Sequence, residues 1–347
     1  MFRSRALIAF LLGLLSSGVL LSGCTANGSL EEGTIELLNV SYDPTRELWK
    51  DINAVFTQRY REETGVPLKI TQSHAASGSQ ARAIVDGLAA DVATLSLWPD
   101  TDALRKNGLV QEGWEERLPN RSLPYTSTVV FLVRKGNPKG IQDWADLAKE
   151  GTVVVTPSPK TSGNGRMTFL AAWGSVVLNG GSETEAQEFV RRVYKNVAVL
   201  DTGARGSTAT FAIKGIGDVL STMESEAYLT LQETPGQFEI VYPSLSFLHE
   251  PPVAVVDSVV ERKGTRAHAE KYLQFLYTRE GQEIIAKHFF RPIDPEVAAA
   301  HREQFPELRL FPVTEVAADW NDAQQKFFAD GGIFDQLYQP EARTAAR

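Results

Sequence analysis

The sequence predicts an α/β protein of two lobes, with mostly parallel sheets and two chain crossings between the lobes. Three observations lead there. Apolar, β-branched runs alternate with amphipathic helical patterns, as in sheets built from strand–helix–strand units. Four predicted strands end in small-residue turns that open directly into helices. The chain has 347 residues, and the roughly 320 expected after loss of a leader are too many for one small core. Two lobes joined by two crossings form a clamshell whose cleft suits a ligand and closes by hinge motion.

In chain order, Thr34 to Ser41 reads as a buried strand. Pro44 stands at a good first helical position, and Leu48, Ile52, Val55, Phe56 and Tyr60 then share a helical face. Val66 to Thr71 reads as a strand, Ser77-Gly78-Ser79 opens a helix running to Leu88, and Ala90 to Leu95 is a further strand. Ligands of such sheets lie outside the carboxyl ends of the strands. Thr126 to Arg134 is a long β-branched strand at which the chain crosses to the second lobe. There follow Thr152 to Thr156, helices near 165–178 and 183–195, the strand Val197 to Leu200, a helix from about 206, Asp218 to Thr222, and Phe238 to Tyr242. Val253 to Val260 is the expected return. Beyond it Ala269, Tyr272, Leu273 and Leu276 share a helical face, and Gly281 to His288 continues as helix. The expected division is 34–125 with 253–347 as lobe one and 126–252 as lobe two.

The N-terminus reads Met-Phe-Arg-Ser-Arg, followed by an apolar run from Ala6 to Leu21. A basic start and a short apolar core make residues 1–23 a secretory signal peptide. Leu21-Ser22-Gly23-Cys24 resembles a bacterial lipobox, which implies cleavage before Cys24, a lipid on its thiol, and a periplasmic or cell-surface protein held to the membrane. An ordinary signal with an incidental cysteine is the alternative. Residues 24–33 are polar and small, a tether. Cys24 is the only cysteine, which excludes an intrachain disulfide and a cysteine metal site. The formal net charge is −8, and loss of Arg3 and Arg5 takes it to about −10. Such a surface does not attract nucleic acid, nor does it steer anions from a distance. An anion site here works locally, through dipoles.

Residues 157 to 174 point to such a site. A β-branched run stops at Pro157 and Pro159, and Thr161-Ser162-Gly163-Asn164-Gly165 opens into an apolar helix. Backbone N–H groups at the positive end of a helix seat an anion. The same turn also suits an ordinary helix start. No Gly-Lys-Ser/Thr of a nucleotide-binding loop accompanies it, so the expected guest is a small oxyanion. Turns of the same kind are Ser41-Tyr42-Asp43-Pro44, Ser73-His74-Ala75-Ala76-Ser77-Gly78 and Asp201-Thr202-Gly203-Ala204-Arg205-Gly206. All four can aim amides at one cleft. His74, His249, His268, His288 and His301 are scattered and form no metal set. No Gly-x-Ser-x-Gly and no histidine-paired nucleophile supports a sulfate or phosphate ester hydrolase. No enzyme activity, cofactor or metal is expected. Tyr42 and Trp98 could line a cleft, but buried core packing is the default for such aromatics.

Ser41-Tyr42-Asp43-Pro44-Thr45-Arg46-Glu47-Leu48 resembles the opening motif of bacterial sulfate-binding proteins of ABC importers. So do Gln72-Ser73-His74 with Ser77-Gly78, Pro124 to Thr128 with Val130 to Lys139, Pro159-Lys160-Thr161-Ser162-Gly163, Leu170-Ala171-Ala172-Trp173-Gly174, Leu200 to Gly206 and Gly215 to Leu220. The resemblance runs from about Ile35 to Gly331-Gly332-Ile333-Phe334-Asp335, and thiosulfate-binding proteins share it. It implies a periplasmic-binding clamshell that passes its ligand to a membrane permease, acting as a monomer. It also implies ligand contacts from backbone amides, with a serine hydroxyl and a tryptophan indole. Carried over by motif, these fall on Asp43 and Ser77 from one lobe and Ser162, Gly163, Asn164 and Ala204 from the other. Met223 stands where the family has the tryptophan, and Asn164 replaces a glycine. Asp43 is expected to offer its amide to the ligand while its carboxylate caps the next helix. Arg205 and Arg134 are expected as paired surface or interlobe arginines.

Sulfate carries no proton at neutral pH and only accepts hydrogen bonds. A site of donors alone favours it over phosphate, whose proton needs an acceptor. A buried unpaired dianion costs tens of kcal/mol. Charge-assisted hydrogen bonds return about 1.5–3 kcal/mol each. About six or seven, less the cost of association, leave the ~8 kcal/mol of a micromolar binder. Thiosulfate, molybdate and chromate are alternative guests, and a sensor that signals through a membrane receptor is an alternative to an importer.

Overall fold

A computed structural model of the chain describes residue 31 and residues 33–338. The expected signal peptide, Cys24 and nearly all of the tether lie outside the described residues. Thirteen strands run in chain order among the described residues: β1 (Ile35–Tyr42), β2 (Leu68–Ala75), β3 (Val92–Thr94), β4 (Tyr125–Thr126), β5 (Val129–Arg134), β6 (Val154–Pro157), β7 (Val197–Asp201), β8 (Val219–Met223), β9 (Phe238–Val241), β10 (Leu245–Phe247), β11 (Val253–Val255), β12 (Arg291–Pro292) and β13 (Arg309–Phe311).

The first sheet has the order β11-β3-β1-β2, and the second β7-β6-β8-β5-β9. Within the first, β1 runs parallel to both β2 and β3. Within the second, β6 runs parallel to β7 and β8. These are the strands linked by crossover helices, and a crossover brings the chain back parallel. The exceptions are β11 on β3 and β5 on β8 and β9, all antiparallel. Both β5 and β11 reach their sheets from the other lobe, so no crossover dictates their direction. Two crossing segments lie side by side where Ser127 and His249 exchange backbone hydrogen bonds of 3.0 and 2.9 Å.

The expected helices form with small shifts of boundary. Helix Arg46–Thr64 buries Leu48, Ile52, Phe56 and Tyr60 on one face, spaced by four residues. It stops at Gly65, whose φ of 73° lets its N–H cap the Arg61 carbonyl at 2.8 Å. The expected return strand Val253–Val260 divides into β11 and helix Asp257–Lys263. Asp257 draws the chain aside by accepting the Gln111 amide at 2.8 Å and pairing with Arg117.

Residues 309–338, which the sequence groups with the first lobe, pack on the second instead. β13 pairs with β10. Phe327, Phe328 and Phe334 close around Phe169 of helix Gly163–Val177 at ring separations of 5.6, 5.4 and 6.1 Å. Helix Gly163–Val177 is buried on every side through Gly174. An apolar helix of that kind needs a cover on its outer face, and the last aromatic residues supply it. Phe327→Ala removes a fully buried ring at the centre of this cover and is expected to destabilise the fold by about 3–5 kcal/mol. Urea unfolding measures this, and a loss under about 1 kcal/mol would show that the cover is dispensable.

Candidate functional site

A small cavity lies between the two sheets, lined by Tyr42, Asp43, Pro44, Ala76, Ser77, Ser96, Ser162, Gly163, Asn164, Ala204 and Met223. All seven residues expected from the sequence stand on it. They occupy one kind of position. Asp43 opens the short 3-10 turn that leads into helix Arg46–Thr64. Ser77 opens helix Ser77–Val85, and Gly163 and Asn164 open helix Gly163–Val177 behind Ser162 as N-cap. Ala204 opens helix Ala204–Thr208, and Met223 is the N-cap of helix Glu224–Glu233. First-turn amides have no partner within their own helix, and they carry its positive end. Five such ends, two from one lobe and three from the other, meet at one cavity. Among the described residues, no lysine or arginine side chain lines it.

Several side chains at these positions are tied by hydrogen bonds of their own. The Asp43 carboxylate accepts from Arg46 Nη2 at 2.9 Å. It does not cap the following helix as expected: Thr45 is the N-cap of helix Arg46–Thr64, and no side chain bonds that helix's first turn. Ser77 Oγ donates to Asp100 at 2.6 Å and accepts from the Ser96 amide at 2.9 Å. Asn164 Nδ2 reaches back to the Ser221 carbonyl at 3.4 Å. Ser162 Oγ accepts from the Gly165 amide at 3.4 Å, and its hydroxyl proton remains for a guest.

The lobes meet closely around this point. A Cβ on Gly163 would stand 2.3 Å from Ser96 Oγ, and a Cβ on Gly203 would stand 2.3 Å from Asp43 Oδ2, so a side chain at either position requires its neighbour to move. The Gly78 amide donates across the cleft to the Thr161 carbonyl at 3.2 Å. Arg166 pairs with Asp100 at 2.7 Å, both buried. Arg205 stands between Glu47 at 3.0 Å and Glu226 at 3.1 Å, an interlobe arginine as expected. Arg134 lies away from the cavity, bonded to the Phe211 and Gly217 carbonyls at 3.1 and 2.9 Å.

Tyr42, Pro44, Ala76 and Ser96 complete the lining without having been marked as site residues. Tyr42 is both wall and core: its ring meets His249 edge-on at 5.7 Å. Ser96 follows β3, and the placement of ligands beyond strand carboxyl ends was the signal that could have found it. Trp98 contributes nothing to the cavity and contacts Glu115.

Two lobes clasping a cavity of helix N-termini define a periplasmic-binding clamshell, an extracytoplasmic ligand receptor. The chain belongs to the bacterial extracellular solute-binding protein family, whose model matches residues 38–291. It is 52% identical over 322 residues to a sulfate-binding protein of Escherichia coli (strain K12), covering 92% of this chain and 98% of that one. It is 50% identical over 328 residues to a thiosulfate-binding protein of Pseudomonas aeruginosa, covering 94% and 99%. Among solved structures, the sulfate-binding protein SubI from Mycobacterium tuberculosis H37Rv superposes with a TM-score of 0.77 at 30% identity, covering 84% of this chain and 99% of that one.

Burial pushes the Glu226 carboxyl up to about 7 from its ordinary 4.5, with Arg205 opposing and Glu47 and Asp43 adding to the rise. The folded protein thus binds this proton more tightly than the unfolded chain does. The group's contribution to stability is greatest below about pH 4.5 and falls as pH rises towards 7. Glu226→Gln is expected to flatten that fall. Thermal unfolding at pH 5 and pH 8 should show a smaller drop in Tm for the variant than for the native chain, and an equal drop would assign the slope to other groups.

Proposed function

We propose that this protein is an extracytoplasmic receptor that binds sulfate in the interlobe cavity and delivers it to an ABC transporter. The observation that carries this reading is the meeting of five helix N-termini at a cavity free of lysine and arginine side chains among the described residues. A fully ionised tetrahedral oxyanion is the guest such a wall suits, since every peptide N–H donates and none accepts. The sulfate- and thiosulfate-binding relatives, alike over nearly their whole lengths, support the same class of guest. Solute-binding proteins of this family are not enzymes. Asp43, Ser77, Gly163, Asn164 and Ala204 hold the anion through their amides, and Ser162 adds its hydroxyl. Residues 34–125 and 253–308 form one lobe, and 126–252 with 309–338 the other. Cleavage before Cys24 and a lipid on its thiol tether a monomeric receptor beside its permease. No helix among the described residues is long and apolar enough to cross a membrane.

Calorimetry on a soluble chain beginning after residue 24 tests the reading with sulfate, thiosulfate, molybdate and phosphate. One site is expected, with sulfate or thiosulfate bound most tightly at micromolar Kd or better and phosphate weakly. Tighter binding of phosphate would defeat the donor-only account. Met223 lies in the wall yet offers no hydrogen to an anion. Met223→Leu, which nearly conserves volume, is expected to leave sulfate affinity within about threefold. A tenfold loss would mean that the thioether itself contacts the guest.

A further inference from the structure

Among the described residues, Ser96 is the one polar residue on the cavity wall that neither lies in a helix nor serves as an N-cap. It lies just beyond β3, and its Oγ stands against the Gly163 Cα that opens the opposite helix. Its backbone amide is fixed on Ser77 Oγ at 2.9 Å. Behind it sits His249 of the crossing segment. His249 Nε2 is 2.7 Å from the Ser96 carbonyl oxygen and 3.1 Å from Ser96 Oγ. A carbonyl oxygen only accepts, so the nitrogen that faces it carries the proton. That proton points at the serine, and the hydroxyl cannot donate back to it. Burial keeps the imidazole neutral, lowering its pKa to about 4 despite the bond to the Ser96 carbonyl. His249 Nδ1 is then a bare lone pair, buried and without a partner among the described residues. The Ser96 hydroxyl proton has no protein acceptor there either, since its sole neighbour is the protonated Nε2.

We propose that Ser96 is a ligand-binding residue of the cavity, its hydroxyl donating to an oxygen of the bound oxyanion, and that His249 is the positioning residue that turns it there. The inference rests on the oxyanion-binding reading above and names a contact beyond the helix amides. A hydroxyl that receives the imidazole N–H on its oxygen keeps its own hydrogen for the guest. It supplies from the floor of the cavity a donor that the Met223 wall does not.

Ser96→Ala removes one charge-assisted hydrogen bond and is expected to weaken sulfate binding about ten- to a hundredfold, with Tm nearly unchanged. His249→Leu frees the hydroxyl to turn away, so in that background Ser96→Ala should cost less than about threefold. His249→Gln, which keeps an N–H donor, should restore most of the coupling. A merely structural histidine would lower Tm without coupling to Ser96. Native protein that binds sulfate while Ser96→Ala binds it within twofold overturns the proposal. Native protein that binds no oxyanion overturns the underlying reading instead. Should a variant fail to fold, a crystal structure of the native protein with sulfate decides. Ser96 Oγ at about 2.6–3.0 Å from an anion oxygen supports the contact, and a separation beyond about 4 Å excludes it.

Discussion

Five positive helix ends held against one small space repel one another, and the contacts between the lobes oppose that repulsion. Each end carries roughly half an elementary charge, and in a low-dielectric interior such charges act strongly. A single lobe can carry its own two or three ends because water screens them in an open cleft. Bringing both sets together strips that water away. The contacts flanking the cavity hold the lobes together against that repulsion: the buried Arg166–Asp100 pair, the Glu47–Arg205–Glu226 array and the Gly78–Thr161 bond. A bound dianion turns the same repulsion into attraction, so closure and binding favour each other. Glycine at 163 and 203 sets how near the lobes can come, since any Cβ there would strike the other lobe.

A wall of amides works only if nearby side chains do not interfere. Asp43 shows the difficulty most plainly, because a carboxylate at the mouth of an anion site opposes its purpose. Arg46 pairs with it at 2.9 Å and offsets its charge locally. Ser77 illustrates a second solution. Its hydroxyl is spent on Asp100 and the Ser96 amide, so the residue offers the cavity its main chain. Asp100 in turn holds Arg166 from the other lobe. The Ser77 turn, the Ser96 loop and the interlobe pair therefore form one connected network, and a shift in the lobes is felt at the donors.

Much of this was legible in the sequence because the turns are local. A strand, two or three small residues and a helix start can be read from a dozen letters, and each of the four turns lands on the cavity wall. The amide donors survive substitution of their own side chains, which is why Asn164 in place of glycine does not remove its position from the lining. Two features escaped. Ser96 lies between apolar residues of a short buried segment, and only its placement beyond β3 hints at a role. Residues 309–338 hold a three-residue strand and short helical turns without a sustained period. Their partner, the outer face of helix Gly163–Val177, is more than a hundred residues away. A pattern confined to one segment cannot reveal which distant surface it will cover.

The acidic chain and the anionic guest are compatible for the same reason that the site avoids lysine and arginine. A mobile cationic side chain would attract any anion, phosphate and carboxylates included, and would follow it as it moved. Amides fixed by helices have their directions set before the guest arrives, so a guest is accepted only if its lone pairs match them. A net negative surface slows the approach of an anion but leaves those directions untouched. Discrimination then lies in the guest's protons: one that keeps a hydrogen must bury it against a donor, while one fully ionised meets a donor at every oxygen. On that account, what the chain recognises is a state of ionisation and a shape, with charge attraction at long range playing no part.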